Sequence, residues 1–145
     1  MSYIKIWIHA VWATKNREPV LKLEILNQVC NHILINAKEK GVYIDRINGY
    51  DEQIHVLMLL KADNSISKQM QLLKGESAHW ANQINLIKNN LEWADKFFAA
   101  SVSDSKLDNV RAHTDNQQTH HKKQTFLEEY KHFIQSLGYV ETDFG

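Results

Sequence analysis

Hydrophobic positions along this chain follow two different periods, and the switches between them mark out its elements. From Tyr3 to Ala13, Ile4, Ile6, Ile8 and Ala10 alternate with Tyr3, Lys5, Trp7 and His9. That period of two, with its β-branched and aromatic content, predicts a strand. Thr14 to Leu21 carries Lys15, Asn16, Arg17 and Pro19 and reads as a loop. Leu23 to Lys40 predicts a helix, because Leu23, Leu26, Cys30, Ile33, Leu34 and Ala37 keep helical spacing before Gly41. Val42 to Asn48 and Gln53 to Leu60 read as strands joined by Gly49-Tyr50-Asp51-Glu52. The second is nearly unbroken in its apolar character, which suits a central strand. Ser65 or Ser67 caps a helix carrying Ile66, Met70, Leu73 and Trp80. Ala81 to Asn90 fits no single period. Phe97 to Val102 predicts a fourth strand. Ser103 or Ser105 then caps a helix from Lys106 towards His120, and a last helix runs from Thr125 to Leu137.

The order β-α-β-β-α-β followed by helices predicts an α+β, ferredoxin-like fold. It is a four-stranded antiparallel sheet with two helices on one face plus C-terminal helices. The open face of such sheets often takes nucleic acid, an inference from fold alone. Pro19 is the only proline and the glycines number five, so no linker divides the chain. A single domain over residues 1–145 is expected, with a core over about 1–103 and C-terminal helices over about 104–138.

Composition narrows the function classes. Hydrophobic residues at 43% and charged residues at 23% are ordinary globular values and exclude disorder and fibrous repeats. Lys plus Arg equals Asp plus Glu at 17 each, which excludes a uniformly basic nucleic-acid binder. A DNA-binding role must therefore rest on a local basic face. The one cysteine, Cys30, excludes an internal disulfide and a cysteine zinc cluster. No secretory leader is read and no apolar run could span a bilayer, so a cytoplasmic protein with no membrane partner is expected.

Several segments together resemble the small single-tyrosine transposases of the insertion-sequence-200-like group, and the related repeat-associated tyrosine transposases. The run from His9 through Thr14, Lys15, Arg17 and Pro19 to Leu21 is similar to their first strand and loop. Lys74 to Asn82 looks like their second-helix motif. Trp93, Phe97 and Ser101 to Ser103 look like their last strand. Val110 to His121, with Phe126, Glu129 and Phe133, looks like their C-terminal helices. The resemblance implies a dimer that binds hairpins in single-stranded DNA. It also implies a helix-borne tyrosine that attacks a DNA phosphate, and a divalent metal, Mg or Mn, held by a His-hydrophobic-His strand motif. A glutamine four residues after the tyrosine completes that site.

The chemistry accounts for those residue types. A tyrosine can hold the phosphodiester covalently, and the metal polarises the scissile phosphate. Alternate residues on a strand share a face, so two histidines can grip one ion. Residues four apart on a helix also share a face.

This chain departs from the pattern at two of the four positions. The strand motif reads His55-Val56-Leu57, and leucine has no lone pair to donate. The nucleophile position reads His113, with Gln117 kept four residues on. The expected function is therefore a transposase-like protein that binds single-stranded DNA hairpins and lacks strand transfer. His113 could act instead through a phosphohistidine, or His55, His113 and Gln117 could form a rearranged site for zinc, copper or nickel. Tyr130, on the next predicted helix, reads as a packing or surface residue. Candidate DNA contacts are Lys15, Arg17, Lys74, His120, His121 and Lys122, and Trp7, Trp12, Trp80 and Trp93 could stack on bases. Two other readings stand beside this one: an active transposase with an unconventional nucleophile, and a dimeric relic serving only protein interaction.

Overall fold

The computed structural model describes residues 2–118 together with Glu128, Lys131 and Gln135. The chain forms two compact units, Met1–Asp115 and Asn116–Gly145. The first unit holds four strands, β1 (Trp7–Thr14), β2 (Ile44–Tyr50), β3 (Gln53–Leu59) and β4 (Trp93–Val102). Its helices are α1 (Leu23–Glu39), α2 (Ile66–Gln83) and α3 (Leu107–Asp115). The sheet order is β2-β3-β1-β4, with every neighbouring pair antiparallel. This is the α+β, ferredoxin-like arrangement that the alternation of periods predicts.

One face of the sheet carries the main core. Ile8, Ala10 and Trp12 of β1 join Ile54, Val56 and Met58 of β3 there, beneath Leu26, Val29 and Ile33 of α1 and Met70 and Leu73 of α2. Cys30 packs against this core, and burial pushes its thiol up to about 12, leaving it inert at neutral pH. Helix α1 ends in a Schellman motif: Gly41 takes φ +79°. Its N–H reaches Lys38 O at 3.1 Å, and Val42 N–H reaches Ala37 O at 2.8 Å. The same closure ends α2, with Asn85 at φ 52° and Leu86 N–H donating to Ala81 O at 2.9 Å. Ser65, not Ser67, caps α2, its Oγ accepting from Lys68 N–H at 3.1 Å.

Three boundaries differ from the sequence expectation. Strand β1 begins at Trp7, not Tyr3, because both neighbours run out there: Trp7 pairs with Leu59 of β3 and with Val102 of β4. Tyr3 and Ile4 lie exposed beyond the ladder. Strand β4 begins at Trp93, not Phe97. Ala94, Asp95 and Lys96 interrupt the apolar pattern, but Trp93 still pairs with Thr14 across an irregular step. Helix α3 runs from Leu107 to Asp115, and a turn at Asn116 interrupts the helical stretch before Gln117 and Gln118 are helical again; His120 lies outside the described residues. The last expected helix, Thr125 to Leu137, lies outside the described residues.

The second face of the sheet is not open. Helix α3 lies against it, turning Leu107, Val110 and Thr114 inward. Trp7, Val11, Leu57, Phe98, Ala100 and Val102 are buried on that side. Arg111 ties the helix to β2 through a two-pronged ion pair with Asp45, at 2.8 Å from Nε and 3.2 Å from Nη2. Asn48 Nδ2 adds a bond to Thr114 O at 3.0 Å.

Candidate functional site

Strands β1 and β3 are neighbours at the centre of the sheet, and their register decides which side chains meet under α3. Val11 pairs with His55 and His9 pairs with Leu57. His9, His55 and Leu57 therefore share the second face. The two imidazoles stack with ring centroids 5.4 Å apart, and His9 Nε2 lies 3.2 Å from His55 Nδ1 in a hydrogen bond. His113, in the last turn of α3, comes down beside them, with its ring 5.6 Å from that of His55 and 6.4 Å from that of His9. His9 and His55 are buried, at 0% and 4% exposure. The ring of Phe98 stands edge-on to His9 at 6.2 Å. The structure thus joins His55 and His113, which the sequence singles out, and adds His9. Gln117 falls in the second unit, Asn116–Gly145.

His9 is the residue that sequence reasoning missed as a site member. Its alternation in β1 assigns it to the face opposite Ile8 and Ala10, but only the register with β3 brings it to His55. A signal was present: a buried-strand histidine in each of two strands whose apolar pattern marks them as central.

The donor set can be tested against a hard divalent ion of the Mg or Mn type. Such ions favour carboxylate, carbonyl and water oxygens. The grouped side chains are imidazoles, with Leu57 where a second strand donor would stand. With leucine at 57, the strand supplies one of the two imidazoles that the family pattern calls for.

The candidate DNA contacts occupy other surfaces. Lys15 Nζ is paired with Glu92 at 3.2 Å, with both groups largely exposed. Arg17 sits in a 3-10 turn, Lys15–Arg17, where it and Asn16 adopt φ 54° and 58°. Lys15 and Asn16 line a cleft of about 510 Å³ with Lys88, Asn89 and Asn90. Lys74 Nζ donates to Ala94 O at 2.7 Å and Asp95 O at 3.2 Å, and lies over the Phe97 ring. Burial holds its ammonium below the usual lysine range, with Asp95 opposing the shift. His120, His121 and Lys122 lie outside the described residues.

The tryptophans are committed to packing. Trp12 and Trp93 meet edge to face at 5.9 Å, and Trp93 Nε1 donates to Ser77 Oγ at 3.1 Å. Trp80 stacks on His32 at 4.0 Å, while Trp7 is buried beside Tyr43 and Arg111.

The sequence profile of the family described as "Transposase IS200 like" matches residues 2–117. This chain belongs to the IS200-like transposase family. Among solved structures it resembles a candidate transposase from Deinococcus radiodurans R1, at 21% identity and a TM-score of 0.64, over 80% of this chain and 93% of that one. It also resembles a REP-associated tyrosine transposase bound to a REP hairpin. That match has 22% identity and a TM-score of 0.53, over 81% of this chain and 67% of the other. Identities at this level speak for the fold. No curated protein matches. Among the described residues no helix is long and apolar enough to cross a membrane.

Proposed function

We propose that this protein binds hairpins in single-stranded DNA and does not carry out the strand transfer of its family. The observation that carries this reading is position 113. The family resemblance assigns the attacking tyrosine to it, and the side chain there is an imidazole lying against His55. Losing the phenol removes the covalent route outright, and Leu57 removes one strand ligand besides. Retained binding is supported by the resemblance to a transposase bound to a REP hairpin. Lys15 and Arg17 of the first loop, with His120, His121 and Lys122, are its proposed phosphate contacts. Lys74 contributes less directly, since its ammonium already holds two β4 carbonyls. The acting form is a homodimer in the cytoplasm.

The test is binding of the full chain to labelled single-stranded hairpins and scrambled controls across a salt series. Hairpin-selective binding that weakens with salt, with no protein–DNA adduct on a denaturing gel, is the expected result. An adduct lost in His113→Ala would establish instead an active enzyme with an unconventional nucleophile. Absence of any binding at low salt would leave a dimeric relic.

A further inference from the structure

We propose that the cleft between the β1–α1 and α2–β4 connections binds one unpaired nucleobase, and that its asparagines select adenine over thymine. The cleft measures about 510 Å³, within the roughly 300–1,000 Å³ typical of small-ligand sites. Lys15, Asn16, Glu18 and Val20 line one wall, and Ile87 to Asn90 with Glu92 line the other. The two walls are tied to each other. Lys15 N–H donates to Glu92 O at 2.9 Å, and Lys15 Nζ meets the Glu92 carboxylate at 3.2 Å. Thr14 Oγ1 donates to Glu18 O at 2.8 Å within the first wall. Asn82 steadies the second, its Oδ1 accepting from Leu91 N–H at 2.6 Å and its Nδ2 donating to Leu91 O at 3.1 Å. The cleft is therefore preformed.

Its charge argues against a phosphate ligand. Lys15 and Lys88 are matched by Glu18 and Glu92, so the lining carries no net charge. What remains is a concentration of neutral amides beside apolar carbon. Asn16, Asn89 and Asn90 are exposed, and Val20 and Ile87 are half-buried. A carboxamide presents a donor and an acceptor side by side. Adenine offers the complementary pair on both of its edges, through N6–H with N7 and through N6–H with N1, so two amides can bond it at once. Thymine offers such a pair only on its Watson–Crick edge, since its other edge is a carbonyl beside a methyl group. Val20 and Ile87 supply apolar surface for the face of the base.

The backbone of the first wall points the same way. Asn16 and Arg17 adopt left-handed φ values of 58° and 54°. Residues other than glycine hold that conformation at a cost, and such positions cluster at ligand sites. Glu18 N–H closes the turn onto Lys15 O at 3.3 Å. The recognition chemistry is the same whether the base belongs to a DNA strand or to a free nucleotide. In the strand case the inference deepens the DNA-binding reading and rests on it. A base that is already unpaired enters with little unstacking cost.

The experiment follows the backbone and side-chain amide resonances of the nitrogen-15-labelled full chain. The ligands are adenosine, thymidine, and short oligodeoxyadenylate and oligothymidylate strands. Adenine ligands should shift the side-chain amides of Asn16, Asn89 and Asn90, with the thymine counterparts binding at least about fivefold more weakly. Shifts with adenosine as well as the strand make a free nucleotide sufficient, whereas shifts with the strand alone assign the base to DNA; either supports the site. Asn16→Gly, which keeps the left-handed turn, and Asn89→Leu should each remove most of the preference. Asn31→Ala, exposed on α1, should leave it intact. Raising salt should weaken strand binding but leave the adenine-to-thymine ratio unchanged, because the charges of the cleft cancel. No preference in the parent, a preference undiminished in both variants, or shifts confined to other residues would each overturn the proposal, even if hairpins still bind. Cleft shifts with adenosine in a protein that binds no hairpin would uphold the site and refute the hairpin reading instead.

Discussion

His9 of β1 stands directly across the sheet from Leu57 of β3, on the face that α3 covers. An imidazole is thus present beside the position where the His-hydrophobic-His pattern breaks, but a different strand supplies it.

This pairing bears on reversal of the two departures. Leu57→His with His113→Tyr is expected to yield a metal-dependent covalent adduct with a single-stranded hairpin, seen on a denaturing gel and absent from the parent. Leu57 is fully buried, so placing a polar ring there should lower Tm by a few degrees. A folded double variant that neither binds Mn2+ nor forms an adduct would mean that the cleft has lost more than two groups.

Two glycines should respond in opposite directions to alanine. A Cβ at Gly49 would meet the backbone oxygen of Gln53 within the β2–β3 hairpin, and Leu26 closes the other side at 3.0 Å. Gly49→Ala should cost about 2 kcal/mol or more in denaturant unfolding. At Gly75, within α2, nothing lies within 4 Å of the added carbon. Gly75→Ala should stabilise by up to about 1 kcal/mol through helix propensity. Equal effects at the two sites would contradict this account.

Gln69 is a buried amide that splices α2 to the end of β3. Its Oε1 accepts from Lys61 N–H at 2.9 Å, and its Nε2 donates to Leu59 O at 3.0 Å. Gln69→Leu keeps the volume and strands both backbone groups, so a loss of about 2–4 kcal/mol is expected from the unfolding midpoint. A neutral result would show that water reaches the site.

Asp45 gives the unit a sensitivity to acid. Its bonds to Arg111, with the nearby charges of Arg111 and Arg46, hold its carboxyl below the ordinary range against an opposing desolvation. A depressed folded value means that the stabilisation is complete at neutral pH, begins to fade as pH falls below about 4, and is lost below the folded value. Asp45→Asn should lower Tm at pH 7 by roughly 3–8 °C and flatten its fall in acid. Parallel Tm curves for the two proteins would rule this out.

The element order, the central place of β3 and the helix positions were legible because periods of two and of 3.6 are local properties. The cap at Ser65 was narrowed only to two serines, since Ser67 offers the same hydroxyl. The true start of β1 depended on where its two neighbours end, and the start of β4 was masked by Asp95 and Lys96. His55 and His113 could be picked out by resemblance, but His9 needed the β1–β3 register. The role of Lys74 was hidden for a related reason, because its partners are carbonyls, which leave no trace in the identity of residues 94 and 95.

Strand β4 is an outer strand of the sheet, and its carbonyls at Ala94 and Asp95 fall where its pairing with β1 is irregular. The Lys74 ammonium occupies both. It fastens α2 to the start of the outer strand, at the point where the ladder alone leaves that strand least secured.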